Sequence, residues 1–363
     1  MKTHKNILIL GARAPMTLVL VRSFKKQGIR VILADSLVLP IGRWTNAIIK
    51  YEQLPSARFN TQAYINTVAR LVSNYAITDL IPCCEEAFYI AKYKNKFLCK
   101  VWTTNIQELN RLHNKETFAK AFKHQLSIPE TISADEFKNW NHSNHYVFKQ
   151  KYSRFAGNIF NGVLLTKDEL GNPEKWIAQK KIHGKEICVY SIWDEGELRG
   201  LVCYEPLFRA GKGAGIFFKF IENKEVEAQV KKFGEHLNYT GQLSFDVIIA
   251  KDGPWFIECN PRGTSGAHLL ENQLADCFLV NGLRPFQDKR NQMLLFLMLL
   301  GYPFKFFKKE VRQAKDAIFR YYDPLPAMMQ WLSLFEIAYI KLFKRISWLK
   351  ATTYDIEWNG NES

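Results

Sequence analysis

Gly241–His268 reads GQLSFDVIIAKDGPWFIECNPRGTSGAH. Two apolar runs, Gln242–Ala250 and Trp255–Cys259, flank the turn residues Lys251-Asp252-Gly253-Pro254, which is the pattern of a β-hairpin. Asp246, Glu258 and Asn260 are oxygen donors on the two strands, and an oxygen-only set suits a hard cation such as Mg²⁺ or Mn²⁺. A three-residue loop Lys251-Asp252-Gly253, with Gly253 left-handed, sets Asp246 opposite Glu258 and Asn260 on the same face two residues on. A four-residue loop would oppose Asp246 to Cys259 and part the two acids. The register is therefore the test of the site. Arg262 follows at once, and a cation beside an arginine is what neutralising a transferring phosphoryl group requires. Ordinary strand-end acids are the bland alternative.

Outward from this hairpin, the middle of the chain is rich in antiparallel strands. His113–Gln125 reads as a helix, His145–Gln150 as a strand carrying Lys149, and Trp176–Lys180 as another. Glu186–Trp193 pairs with Leu198–Tyr204 through Asp194-Glu195-Gly196, and Val226–Leu237 is helical. The loop Phe208–Gly215, with Arg209 and Lys212, either clamps a carboxylate or γ-phosphate or is only a turn. The first 112 residues have an α/β rhythm instead. Asn6–Leu10 and Arg30–Ala34 are buried strands around a helix Thr17–Gln27, and Asp79–Pro82 leads into Glu85-Glu86. Strands joined by helices imply a parallel sheet with ligands at its carboxyl ends. Glu85 and Glu86 there bind the ammonium of an amino substrate or cap the next helix. Asp35 stands where a dinucleotide fold would want an acid, but Gly11-Ala12-Arg13-Ala14-Pro15-Met16 has one glycine where three are needed. From Pro285 the chain reads as helices Asn291–Leu300, Lys308–Phe319 and Pro326–Arg345, then an extended Thr352–Trp358 with no assigned role.

The segment Phe256–Arg262, FIECNPR, resembles the signature of the ATP-grasp superfamily, and the likeness extends back over the preceding domains. It implies an α/β plus α+β fold. Residues 1–112 would form the parallel-sheet domain that precedes the grasp in biotin carboxylase, carbamoyl-phosphate synthetase and D-alanine ligase. Residues 113–282 would be the ATP-grasp domain, with a small subdomain at 113–185 and a large one at 186–282. A basic aromatic helical extension, 283–363, follows. The resemblance implies that Lys149 and Lys115 contact phosphates and that Gln179, Lys180 and Ile182 form the hinge over adenine. Glu186 would hold the ribose hydroxyls, Asp246, Glu258 and Asn260 the Mg²⁺, and Arg262 the transferring phosphoryl group. The phosphate-covering loop is Lys151–Asn158, where only Gly157 is free to take positive φ, so Ser153, Arg154 and backbone N–H groups would supply donors. Asp246 stands where many relatives have Glu, and Lys180 where they often have Glu. Ser265 and Gly266 open a turn suited to an anion, and His268 is a substrate contact or a hydrogen-bonded structural residue. The implied activity is ATP-dependent ligation of a small-molecule carboxylate to an amine through an acyl phosphate. A catalytically quiet nucleotide-binding or membrane-peripheral scaffold is the alternative, with an NAD-dependent oxidoreductase behind it.

Composition narrows the partners. The 363 residues carry 50 Lys+Arg against 35 Asp+Glu, a formal charge of +15, and are 47% hydrophobic. That excludes a disordered tail, a collagen-like rod and a small disulfide scaffold. The charge is uneven: 16 basic against 6 acidic residues in 1–114, 21 of each in 115–282, and 13 against 8 in 283–363. A triphosphate in the neutral middle would thus be held by a few placed cations. No motif orders the C-terminal aromatics and lysines for nucleic acid. Pro303–Lys309 and Trp331–Arg345 set aromatics beside lysines, as interfacial helices do, or pack on the core with solvated lysines. Seven cysteines without a CxxC pair point to a reduced cytoplasm, peripheral contact with the inner membrane surface being the variant, and an oligomer is compatible with all of this. The short apolar run at the N-terminus reads as a strand, and Met293–Leu300 is too short to span a bilayer, which takes ~20 residues.

Overall fold

Buried apolar runs at Asn6–Leu10, Arg30–Asp35 and Asp79–Pro82 set up the first sheet. In the computed structural model, which describes residues 5–154, 159–211, 213–271, 273–280 and 289–360, five parallel strands form it: β1 (Asn6–Leu10), β2 (Arg30–Asp35), β3 (Lys50–Gln53), β4 (Asp79–Pro82) and β5 (Lys100–Val101), in the order β3-β2-β1-β4-β5. Helix Pro15–Lys26 starts on its proline, whose fixed φ suits a first turn. Asp35 is bonded to Arg13 and to Leu37 N, not left for a ribose.

The expected helix His113–Gln125 is Lys115–Phe122, parted at Asn114, whose side chain caps it, from a preceding helix Ile106–His113 that was not expected. A four-stranded sheet comes next, of β6 (Thr131–Ser133), β7 (Tyr146–Gln150), β8 (Ile159–Asn161) and β9 (Trp176–Lys180), ordered β6-β9-β7-β8. A seven-stranded sheet follows: β10 (Lys185–Asp194), β11 (Glu197–Ala210), β12 (Ala214–Ile221), β13 (Gly241–Ala250), β14 (Gly253–Asn260), β15 (Gln292–Met293) and β16 (Lys315–Asp316), ordered β14-β13-β10-β11-β12-β15-β16. The turn Glu195-Gly196 takes positive φ at both residues, as a two-residue hairpin requires. Phe118 and Phe122 stack into Phe233, Phe245 and Phe256, at ring separations of 5.0–6.3 Å, and fasten helix Lys115–Phe122 to the β13–β14 pair.

The C-terminal extension departs from the expected three helices. β15 and β16 continue the large sheet past residue 282, and Lys309–Arg312 is a single helical turn where Lys308–Phe319 was expected. The long helix is Leu325–Lys344, and of the expected extended Thr352–Trp358 the first five residues, 352–356, form turns. Part of the expected phosphate loop (155–158, with Gly157), Lys212 of the clamp loop and the join at 282/283 lie outside the described residues.

Candidate nucleotide site

The hairpin register reaches the expected pairing by an unexpected route. Ala250 pairs with Gly253, so the turn is Lys251-Asp252, two residues and not three. Carried along unbroken, that register would put Asp246 opposite Ile257. A bulge between Val247↔Phe256 and Asp246↔Glu258 takes up the extra residue, so Asp246 opposes Glu258 and Ser244 opposes Asn260. The bulged residue is not idle. Ile257 O accepts Lys149 Nζ at 3.0 Å and Gln179 Nε2 at 3.4 Å, joining the large sheet to β7 and β9 of the small one.

Between the two sheets lies a cleft of about 420 Å³. Lys149, Ser153, Gln179, Lys180, Ile182 and Glu186 line one part of it. Asp246, Glu258, Asn260, Arg262, Arg209 and Ser265 line the other. Lys115 stands behind Glu258, 3.3 Å from its carboxylate, and also donates to Ser153 O. It is the first residue of its helix and is buried, where the helix dipole disfavours a cation. Glu258 and the carbonyl compensate for that position.

Burial and the nearby charges set the electrostatics. Asp246 is pushed up by burial and by Glu258 and Glu186, and accepts Cys188 Sγ at 3.3 Å. Burial pulls Lys149 down to about 8, against the attraction of Glu258. Two carboxylates facing each other in a half-buried site are what a divalent cation relieves, and Asn260 adds a third oxygen, so the residues fit Mg²⁺. Among the described residues no group of three or more His, Cys, Asp or Glu side chains is gathered for a metal. This set has two acids and an amide. Arg262 reaches Asn260 Oδ1 at 3.4 Å, and its Nε makes no hydrogen bond and lies 3.9 Å from Glu85.

Other expected residues are placed elsewhere. Arg154 does not face the cleft: its guanidinium binds Glu85, Glu357, Asn359 and Trp358 O. Glu85 is buried and taken by Arg154 and Trp358 N, so no ammonium has access to it. Glu86 accepts the N–H groups of Cys83 and Cys84, and burial pushes it up to about 7. His268 is buried, stacked on Phe218 and pulled down to about 3 by desolvation, which makes it a neutral packing residue. Gly266 is explained by space, since a Cβ there would lie 2.3 Å from Tyr190 Cβ. Arg209 ion-pairs with Glu186 across the cleft. Sequence reasoning passed over Lys181 and Asn161, which also line the cleft, and Ser244, which bonds Arg262 O and Thr264 and holds the Asn-Pro-Arg turn. A second lysine in the hinge run was a signal for Lys181; β8, the strand of Asn161, had none.

A search of curated proteins by sequence finds no match. The family model of the ATP-grasp domain matches residues 112–266. Among solved structures, the chain is similar to N5-carboxyaminoimidazole synthetase of Staphylococcus aureus complexed with ADP, at 14% identity and a TM-score of 0.60, covering 80% of this chain and 81% of that one. Biotin carboxylase of Campylobacter jejuni matches at 15% identity and TM-score 0.59, over 77% and 72% of the two chains. An L-amino acid ligase of Bacillus licheniformis matches at 14% identity and 0.59, over 80% and 79%. The stretch matched by the ATP-grasp domain model, residues 112–266, contains the two-sheet cleft and the opposed acids.

Proposed function

We propose that the protein is an ATP-dependent ligase that activates a small-molecule carboxylate and passes it to an amine or another nucleophile. One observation carries this reading: Asp246, Glu258, Asn260 and Arg262 share the cleft between the two sheets with Lys149, and Lys115 stands behind Glu258. The relatives named above include a carboxylase and an amino acid ligase, which supports the reaction class.

Lys149 and Lys115 would hold phosphates, and Asp246, Glu258 and Asn260 would hold Mg²⁺, which supplies charge neutralisation at the phosphate oxygens. Gln179, Lys180 and Ile182 would border the base, and Glu186 the ribose. An oxygen of the substrate carboxylate attacks the γ-phosphorus. The new O–P bond forms as the bond to ADP breaks, giving an acyl phosphate. The amine then attacks the acyl carbon, phosphate leaves, and the amine's surplus proton goes to solvent. Arg262, beside Asn260, would steady the moving phosphoryl charge. Positioning and electrostatics suffice, and no side chain acts as a nucleophile. A phosphate-release screen over carboxylate and amine pairs with MgATP tests this. Release above the substrate-free rate for some pair is expected, and none across both classes would overturn it.

A membrane-surface partner is proposed from a separate observation. Helix Leu325–Lys344 turns Met328, Trp331, Phe335, Tyr339 and Leu342 outward at helical spacing, all exposed, and Lys341, Lys344 and Arg345 follow at its end. No described helix is long and apolar enough to cross a membrane. Aromatics flanked by lysines suit the interface of an anionic bilayer. Flotation with phosphatidylglycerol vesicles at low salt should carry the protein upward, and a protein left at the bottom ends the idea.

A further inference from the structure

Three arginines from separate parts of the chain meet at the carboxyl edge of the first sheet, and each ends on an acid of one segment. Arg13, after β1, is held by both oxygens of Asp355 at 2.6 and 2.8 Å, with the Ser36 hydroxyl donating to the same carboxylate. Arg58, ahead of helix Thr61–Asn74, reaches Glu357 at 2.6 Å, and Arg154, from the loop after β7, reaches it at 2.9 Å. The segment 352–360 pairs with no strand. It is seated by these carboxylates, by Ser56 Oγ and Arg58 N on Asp355 O, and by Trp358 between Phe88 and Tyr89.

Charge balance accounts for one of the two acids, and the arginine geometry for the other. Apart from the segment, Arg13, Arg58 and Arg154 face Asp35 and Glu85, which leaves one guanidinium over. Glu86 borders the same crevice with Gly11, Ser36, Tyr64 and Ile356, and its Oε2 is buried without a partner. Below about pH 7 it adds little negative charge. An arginine fork with a hydroxyl beside it is built for a carboxylate. Glu85 touches Arg154 and lies 3.9 Å from Arg262, so the crevice opens next to the nucleotide cleft.

We infer that this crevice binds a small acid bearing two carboxylates, and that residues 352–360 are its tethered competitor, with Asp355 and Glu357 in the ligand's place. As the site of the substrate to be activated, the assignment rests on the ligase reading; as a binding site, it does not. When the acid enters, the Asp355–Glu357 stretch lifts while Trp358 keeps its seat. Arg13, Arg58 and Arg154 then change from intramolecular to ligand partners.

The test uses the full chain, the double variant Asp355→Asn/Glu357→Gln, and three probes at pH 6.5: succinate, L-glutamate and the dipeptide Ala-Glu, with acetate as the single-carboxylate control. Amide hydrogen exchange of 352–360 is the readout. Titration of the wild type with at least one probe should speed exchange in this segment and leave 241–260 unchanged, with acetate inert. The double variant should exchange faster without ligand and half-saturate at about tenfold lower concentration, because two carboxylates no longer compete for the arginines. Preference for the dipeptide over the free acids would identify the ligand as a peptide end. Should the double variant fold poorly, Glu357→Gln alone, which removes the carboxylate shared by Arg58 and Arg154, should shift half-saturation the same way by less. Exchange in 352–360 that ignores all three probes, or a well-folded double variant identical to the wild type, overturns the inference. ATP binding is measured separately: its absence beside an intact probe response would sink the ligase reading and spare the crevice.

Discussion

Two of the clefts at sheet edges among the described residues are built on opposite terms. The cleft between the small and large sheets is open, and its acids and lysines are set by strand register with few partners of their own. The crevice of the first domain is closed, and Arg13, Arg58, Arg154, Asp35 and Glu85 are all matched. Charge left facing space is where a ligand adds binding energy; charge already paired in burial adds structure, or must be released first. The difference separates a site ready for a polyanion from one that is occupied by its own chain.

The sharpest way to break this comparison is to unseat the closing segment. Trp358 is 1% exposed, packs on Phe88 and Tyr89, and donates to Asn110 Oδ1 at 2.7 Å. Trp358→Ala is expected to cost about 3–5 kcal/mol, the usual loss for a buried large aromatic side chain. Urea unfolding measures it. A loss under about 1 kcal/mol, within the range of surface substitutions and mild core changes, would mean that the segment lies on the crevice without stabilising the fold.

At the open cleft the expected loss is in catalysis. Glu258→Gln keeps the shape of the side chain and should leave the melting transition nearly unchanged, while ADP release falls on the order of 10²–10³-fold, as when one preorganised electrostatic partner is removed. Undiminished release would remove Glu258 from the site. Lys115 offers the complement, because its buried ammonium meets that carboxylate at 3.3 Å. Lys115→Met should weaken ATP binding with the fold intact, and unaltered affinity in a nucleotide titration would count against its role.

Legibility followed the same divide. The open cleft was readable because its logic is local: the alternation along Gln242–Ala250 and Trp255–Cys259 already states which side chains share a face. The bulge at Ile257 was not readable, since a turn of two or three residues looks alike around Lys251-Asp252-Gly253. The family model over residues 112–266 covers that readable part. Arg154 was misplaced because its position in the loop after β7 suits phosphate contact, whereas its partners Glu85 and Glu357 are distant in sequence. Asp355, Glu357 and Trp358 carried no pattern at all. Their meaning depends on Arg13, Arg58 and Asn110, and single-sequence periodicity has no access to such pairings.

Buried titrating groups give the two regions opposite acid responses. His268, behind the open cleft, is pulled from its ordinary 6.5 down to about 3, so the unfolded chain binds its proton first. Its neutral form stabilises the fold fully above pH 6.5, and that stability is lost as pH falls toward 3, by up to about 1.4 kcal/mol per pH unit. Glu86, in the closed crevice, is raised from 4.5 to about 7, so the folded chain holds the extra proton and stability declines as pH rises across that window. Glu86→Gln should flatten the decline between pH 4.5 and 7, and His268→Gln the loss below 6.5, both read from melting temperature against pH. A variant with the wild-type profile would show that its group does not titrate in the fold.

The smallest effect is expected where a third surface inverts the usual order of a helix. Leu325–Lys344 faces the first domain with polar groups: Ser333 Oγ donates to Leu39 O at 2.6 Å, and Glu336 accepts from Val38 N and Leu39 N at 2.8 and 2.7 Å. Trp331 and Phe335 point the other way, 57% and 66% exposed. If the helix is held by its polar side, Trp331→Ser and Phe335→Ser should each change stability by no more than about 0.5 kcal/mol. Glu336→Ala should cost about 1–3 kcal/mol by leaving two N–H groups without their acceptor. Vesicle flotation should move in the reverse sense, weakened by the outward pair and unaffected by Glu336→Ala. Equal stability losses at Trp331 and Glu336 would show that the aromatic stripe already serves the fold and is not free to meet a membrane surface.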